Sequence, residues 1–263
     1  MADRRKPTGN SIQESSQETE RQFMDKYNVN GMLKDVLTKL IANRPDDPIR
    51  FIANYFEAIA LDDQPEDIVN RALQVLSLTH YSRPVFETNV ISAFDILSKF
   101  KISKKLHGVN GVVHTQLLKA LCKNMPPAVQ VKLFKKIECS EHEAVPFTIF
   151  RSTIFTCCVL TDFISMAGNL FFTLDVQKTG NADKNLCTST LDQLKTALSS
   201  SKKDVKRIME SSYNLGPDNL YKVLDKAMSK NASQSGLYNH DEFIMDACEI
   251  FLSKVSLFLK RAF

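Results

Sequence analysis

Between Phe147 and Leu174 the chain reads FTIFRSTIFTCCVLTDFISMAGNLFFTL, a run that is apolar on nearly every side of a helix. A helix without a polar face has to be wrapped by other protein or by lipid. Arg151 and Asp162 interrupt the run, and about 20 consecutive apolar residues are needed to span a bilayer. The segment is therefore expected as a buried helix, or pair of helices, at the centre of a domain, with no membrane partner. Only 8 glycines and 9 prolines occur in 263 residues, β-branched runs are short, and apolar residues mostly recur at steps of three and four. That is helical spacing. The expected fold class is all-α: an N-terminal helical hairpin followed by a multi-helix bundle, with 43% apolar residues sufficient for a core.

Residues 1–24 read as a flexible tail, since Ser, Gln, Glu and Arg offer too little apolar surface to offset the entropy of ordering. Met1 to Lys6 and onward also lacks the apolar core of a signal peptide. Residues 25–60 read as the hairpin and residues 61–263 as a helical body. Leu61 to Asp67 is expected as a turn or linker. Helices are expected over Ile68–Leu78, Val85–Phe100, Val112–Asn124 and Ala128–Ile137. Beyond the central block they are expected over Ser189–Leu198, Lys203–Tyr213, Asp218–Met228 and His240–Lys260. Pro84, Gly108 to Gly111, Pro126-Pro127 and Gly216-Pro217 supply the breaks. The six cysteines (Cys122, Cys139, Cys157, Cys158, Cys187, Cys248) follow no disulfide spacing. The adjacent pair Cys157-Cys158 suits reduced thiols in a cytosolic compartment.

Val29, Met32, Leu33, Val36, Leu37, Leu40 and Ile41 place a wide apolar stripe on the first helix of the hairpin. Arg44-Pro45-Asp46-Asp47-Pro48 then stops that helix and starts the next, with Asp47 placed to cap it and Pro48 at its first position. On the second helix Ile49, Ile52, Phe56 and Ile59 form one stripe, and Phe51, Tyr55 and Ala58 a neighbouring one. A hairpin of this size lies below the roughly 40 residues at which single chains become marginal, so its surplus apolar surface calls for a second hairpin. The candidate protein-interaction residues are Met32, Leu33, Val36, Leu37, Leu40, Pro48, Ile49, Phe51, Ile52, Tyr55 and Phe56. The pattern Pro45, Pro48, Ile49, Phe51, Ile52, Tyr55 resembles the dimerisation and docking hairpin of cyclic-AMP-dependent kinase regulatory subunits and of Dpy-30-type adaptors. That resemblance implies a homodimer or a heterodimer through the hairpin, and leaves a kinase-anchoring or chromatin adaptor as an alternative.

Signatures of catalysis are missing. Gly108 and Gly111 form the only close glycine pair and no Gly-Lys-Ser follows, so no phosphate loop is read. His142-Glu143 lacks the second histidine of a zinc-protease helix, and Cys139-x-x-His142 offers two ligands where a structural zinc site needs four. Two segments invite comparison with calcium loops. In residues 231–242, Gly236 stands sixth, Tyr238 eighth and Glu242 twelfth, but the first side-chain ligands are Asn231, Ser233 and Ser235. In residues 175–186, Asp175 and Gly180 match, yet Leu186 replaces the bidentate carboxylate. Both are expected as inter-helix loops, EF-hand-like in shape and empty of metal; a weak calcium-responsive adaptor is the alternative. No Ser or Cys partner can be assigned from sequence to any of the five histidines. No catalytic residue, cofactor or metal ligand is assigned.

The net charge is +4, with lysines and arginines gathered at Lys99 to Lys105, Lys132 to Lys136, Lys202 to Arg207 and Lys254 to Arg261. Such clusters suit an acidic polypeptide, a membrane surface or nucleic acid, or serve as solvated helix faces. Aromatic residues are not interleaved with them, so no nucleic-acid partner is expected.

A second resemblance covers most of the chain. Arg44-Pro45-x-x-Pro48-Ile49-x-Phe51-x-Ala53-x-Tyr55-Phe56-Glu57 is followed by Asn89-Val90 and by Cys139-x-x-His142-Glu143-Ala144-Val145-Pro146-x-x-x-Phe150-Arg151. Thr156-Cys157-x-Val159-Leu160-x-x-Phe163, Ala167-Gly168-x-Leu170-Phe171, Leu215-Gly216-Pro217-Asp218-x-Leu220 and Glu242-Phe243 continue it. Together these make the sequence similar to the family of tubulin polyglutamylase complex subunit 1. The resemblance implies a non-catalytic scaffold or targeting subunit, partnered by a tubulin-tyrosine-ligase-like catalytic subunit and other complex subunits. It also implies contact with tubulin through the complex, in the cytoplasm and on the cytoskeleton of centrioles, basal bodies, cilia and axons.

Overall fold

In the computed structural model the apolar block is one unbroken helix, and the other elements are arranged around it. The structure describes residues 20–60, 65–99, 108–137, 139–200 and 236–259. Their helices are α1 (Glu20–Lys26), α2 (Val29–Asn43), α3 (Pro48–Ala60), α4 (Pro65–Ser77), α5 (Phe86–Ser98), α6 (Gly111–Leu121) and α7 (Pro127–Ile137), then α8 (Phe147–Leu174), α9 (Lys184–Ser200) and α10 (His240–Leu259). Four short strands, β1 (Val109–Asn110), β2 (Ala144–Val145), β3 (Asn181–Asp183) and β4 (Leu237–Asn239), tie loops together. The chain is all-α in architecture.

Pro48, Pro65 and Pro127 each occupy the first position of a helix, where a missing N–H costs nothing and the fixed φ is already helical. Helix α4 therefore starts inside the stretch read as a linker. Helix α9 starts five residues before the expected Ser189, because the Asp183 carboxylate accepts from the amides of Asn185 and Leu186 at 2.9 and 3.1 Å and caps it. The tail expected over residues 1–24 lies outside the described residues as far as residue 19, and its last five residues are the start of α1. The helices expected over Lys203–Tyr213 and Asp218–Met228 also fall outside the described residues.

Helix α8 is long and apolar enough to cross a membrane by length and composition alone. Thirteen of its 28 residues are nonetheless buried inside the protein. Against α5, Phe86 meets Phe155 at 5.2 Å and Phe94 meets Phe147 at 5.2 Å. Against α10, Phe171 meets Phe243 at 5.6 Å and Phe163 meets Phe251 at 5.2 Å. Both neighbours thus run antiparallel to α8. Phe86, Phe150, Phe163, Phe171 and Phe243 are fully enclosed, each worth about 2 kcal/mol of transfer free energy. The hydroxyls in α8 are absorbed by its own backbone, as where Thr156, Thr161 and Thr173 donate to carbonyls four residues back.

One polar side chain sits deep in this core. His114 of α6 shares a 2.9 Å hydrogen bond with the Thr153 hydroxyl, which also lies 3.0 and 2.9 Å from the carbonyls of Ile149 and Phe150. The hydroxyl has one proton, donated to a carbonyl, so it accepts from Nε2–H and leaves His114 Nδ1 as a bare acceptor without a partner among the described residues. Burial lowers its pKa to about 4, and the ring is neutral.

The two strand pairs sit at opposite ends of α8. Val109 faces Val145 and Asn110 faces Ala144 just before α8 begins. A Cβ on Gly108, whose φ is +136°, would meet the Val145 carbonyl oxygen at 2.5 Å, and one on Gly111 would meet that of Ser140 at 2.0 Å. This close approach is what the two glycines permit. Beyond the other end of α8, Asn181 faces Asn239, Ala182 faces Tyr238 and Asp183 faces Leu237. All six cysteines are free thiols. Burial pushes Cys158, Cys187 and Cys248 up to about 12.

Candidate protein-interaction surface

The turn between α2 and α3 is built as its sequence dictates. Arg44 takes the left-handed conformation that ends α2, and its N–H returns to the Leu40 carbonyl at 2.9 Å. Asp47 then caps α3 by accepting from the Arg50 amide at 2.9 Å, with Pro48 first in the helix.

Inside the hairpin the two helices are joined by a polar trio. The Asp35 carboxylate accepts from the Tyr55 hydroxyl and from the Lys39 ammonium, and that ammonium lies 5.2 Å from the Tyr55 ring centre. Burial opposes ionisation of Asp35, but the two hydrogen bonds and the Lys39 charge outweigh it and hold the carboxyl below its ordinary range. Burial, followed by the Asp35 bond and charge, raises the Tyr55 phenol well above its usual value.

A second polar set fixes the hairpin to the body. Asn43, only 2% exposed, donates to the Lys39 carbonyl at 2.8 Å and accepts from Asn89 of α5 at 3.2 Å. The Arg83 guanidinium donates to the carbonyls of Asn43 and Arg44 at 2.7 and 3.1 Å. These bonds satisfy carbonyls left open at the end of α2. Further along, Arg71 of α4 donates to the Ile59 carbonyl at 3.1 Å.

The eleven candidate residues divide into three groups. Val36, Phe51 and Tyr55 are buried within the chain, so these three are not available as a docking face. They lie apart from the contiguous core that runs from Ile68 to Val255. Met32, Leu40, Ile52 and Phe56 are half-buried, and Leu33, Leu37, Pro48 and Ile49 are exposed. Ile49 is 76% exposed and Ile41 70%. Of the twelve large apolar side chains exposed among the described residues, seven lie in residues 20–60: Phe23, Tyr27, Leu33, Leu37, Ile41, Ile49 and Ile59. Apolar exposure is thus concentrated here, the pattern of a surface that another protein covers. Phe23 and Tyr27, with ring centres 5.1 Å apart, are additions to the sequence reading. Their signal was an aromatic spacing of four just ahead of α2.

Elsewhere the chemistry is sparse. His80 joins the Ser82 hydroxyl at 2.8 Å to the Asp162 carboxylate at 2.9 Å, and Tyr81 donates to the same carboxylate at 2.8 Å. Sequence assigned no serine to any histidine, and here one has it. The Ser82 amide, however, points at His80 Nδ1 at 3.3 Å, so it supplies no oxyanion donor. This chain of bonds pins the α4–α5 loop to α8. Among the described residues no three His, Cys, Asp or Glu side chains converge as a metal site would need.

Of the two segments compared with calcium loops, the eighth residues, Ala182 and Tyr238, face each other across the β3–β4 pair, while Asn231, Ser233 and Ser235 lie outside the described residues. The buried Asp175 carboxylate accepts from the Thr179 and Gly180 amides at 3.0 and 2.7 Å. Glu242 and Asn239 cap one another, the Glu242 amide donating to Asn239 at 2.8 Å and the Asn239 amide to Glu242 at 3.4 Å. Tyr238 donates to Asp246, and that bond first, then burial, pushes its pKa up to about 12. Protein hydrogen bonds occupy these side chains in the described parts of both segments.

A family model described as "Tubulin polyglutamylase complex subunit 1-like, C-terminal" matches residues 63–256. The human protein "Tubulin polyglutamylase complex subunit 1" is 33% identical over 256 residues, covering 90% of this chain and 88% of that protein. An alignment of that coverage leaves too few residues over to omit the hairpin, although the family model begins beyond it. No solved structure matches the chain.

Proposed function

Because the chain belongs to the tubulin polyglutamylase complex subunit 1 family, we propose that it serves as a non-catalytic scaffold of such a complex. In this reading a separate tubulin-tyrosine-ligase-like subunit adds the glutamates, and this chain holds that subunit and others together at microtubules. Its place is the cytoplasm and cytoskeleton, with centriole, basal body, cilium and axon as the sites of action. Ligating an amide needs an activated carboxylate, and the sequence carries no nucleotide-binding signature. The observation that carries the proposal is the exposed apolar face of α2, formed by Leu33, Leu37 and Ile41 outside the contiguous core, with Ile49 exposed at the start of α3. That face suits a second hairpin, from another copy or another subunit.

The test is the double variant Leu37→Glu/Ile49→Glu, assayed by sedimentation and by co-purification with the ligase subunit. Both side chains are exposed, so folding of the isolated chain is expected to survive. Burying two unpaired carboxylates in an apolar interface costs several kcal/mol, on the order of the whole margin of association. Unchanged association and unchanged co-purification would refute the hairpin's role. Purified chain that glutamylates microtubules unaided would refute the non-catalytic reading.

A further inference from the structure

Between Asp95 and Glu138 the sequence holds no acidic residue across 42 positions, yet it holds nine lysines: Lys99, Lys101, Lys104, Lys105, Lys119, Lys123, Lys132, Lys135 and Lys136. Elsewhere 25 basic residues meet 30 acidic ones, so this one segment turns a net-acidic chain into one of charge +4. Helices α6 and α7, with the turn Cys122–Pro126 between them, form the described end of it. Lys119, Lys123, Lys135 and Lys136 are exposed there, and none of them makes an ion pair within the described residues. Lys132 differs, since Glu249 of α10 pairs with it. The first carboxylates to follow are Glu138, Glu141 and Glu143, beyond the end of α7.

We propose that Lys119, Lys123, Lys135 and Lys136 form a docking surface for an acidic, glutamate-rich polypeptide segment. Helix α7 is roughly 16 Å long, the reach of five or six residues of extended chain. Lys119 and Lys123 lie four residues apart at the end of α6 and Lys135 and Lys136 are neighbours at the end of α7, so within each pair the charges are spaced by less than a Debye length, about 8 Å at physiological salt. Unpaired like charges at this spacing repel, and bound carboxylates relieve the repulsion. A nucleic acid fits less well: the segment has no arginine, and Phe134, the aromatic on α7, is turned into the core, which leaves no exposed ring among the described residues of α6 and α7 for a base to stack on. A membrane fits less well too, because Val131 is the one large apolar side chain exposed on α6 and α7, and a surface-bound helix needs an apolar face. The inference rests on the scaffold reading for the source of the partner, a chain carrying added glutamates.

The experiment is fluorescence anisotropy of a labelled ten-residue oligoglutamate peptide with the full chain, at low and at physiological salt. The peptide is expected to bind, more weakly as salt rises. K119E/K123E/K135E/K136E is expected to weaken it by roughly tenfold or more, and the milder four-fold Lys→Gln variant to shift it the same way with its thermal transition kept. The same charge reversal at Lys202, Lys203, Lys206 and Arg207 changes net charge equally and is expected to leave most binding intact. Equal binding by all variants, or equal loss in both reversals, would overturn the docking surface. So would tighter binding of oligothymidylate or of phosphatidylserine vesicles at matched charge. Variants that lose no peptide yet still co-purify with the ligase subunit would remove this inference alone and leave the scaffold reading standing.

Discussion

Helix α8 and the α2–α3 hairpin are both rich in apolar side chains, but the chain treats them in opposite ways. Around α8, helices α5, α6, α9 and α10 cover its faces. Among its described apolar side chains the hairpin instead encloses Val36, Phe51 and Tyr55 and leaves Leu33, Leu37, Ile41 and Ile49 to solvent. Its attachment to the body combines packing of α3 along α4 with polar bonds from Arg71, Arg83 and Asn89. Apolar content alone therefore does not fix where a helix ends up; what decides is how many neighbours the same chain can bring to it.

The widest gap between the two regions is expected on truncation. Phe163→Ala in α8 should cost roughly 3–5 kcal/mol, whereas Leu37→Ala in the hairpin should stay within about 0.5 kcal/mol for the isolated chain. Urea unfolding of both checks this, and similar losses would erase the contrast.

Acid sharpens the comparison next. The folded pKa of His114 is depressed to about 4, below its ordinary 6.5, so the unfolded chain takes up the proton first as pH falls. Its contribution is fully present above about pH 6.5 and is lost on descent towards pH 4, on the order of 3 kcal/mol in all. His114→Gln should flatten the pH dependence of the urea midpoint over that window, and an unaltered slope would contradict the buried neutral ring.

The smallest effect concerns the clamp. Arg83→Ala removes a charged donor from two carbonyls, a change of roughly 1.5–3 kcal/mol. It is expected to speed hydrogen exchange in α2 and α3 while leaving α8 protected. Uniform loss of protection would mean that the hairpin and the body open as one unit.

Much of this arrangement is legible in the sequence. The stop at Pro45, the Asp47 cap and the burial of Phe147–Leu174 follow from local rules, because each depends on residues within a turn or two. What escapes are contacts between distant positions: Asp35 with Tyr55, Asn43 with Asn89, His80 with Asp162. Nothing in the spacing of such pairs announces them. Both stripes of the hairpin are legible, but which side chains turn inward depends on how α2 and α3 pack on each other and α3 on α4. The two-residue strands carry no period to detect. The acid-free lysine run is a property of 42 positions together and is carried by no single cluster of lysines.

Helix α8 carries a loop bridge at each end and no break between them. At 1.5 Å per residue its 28 residues make a strut of about 42 Å. The loops on either side are therefore held at a fixed separation by a single rigid element, and a displacement at one bridge is passed along the whole helix rather than absorbed at a joint.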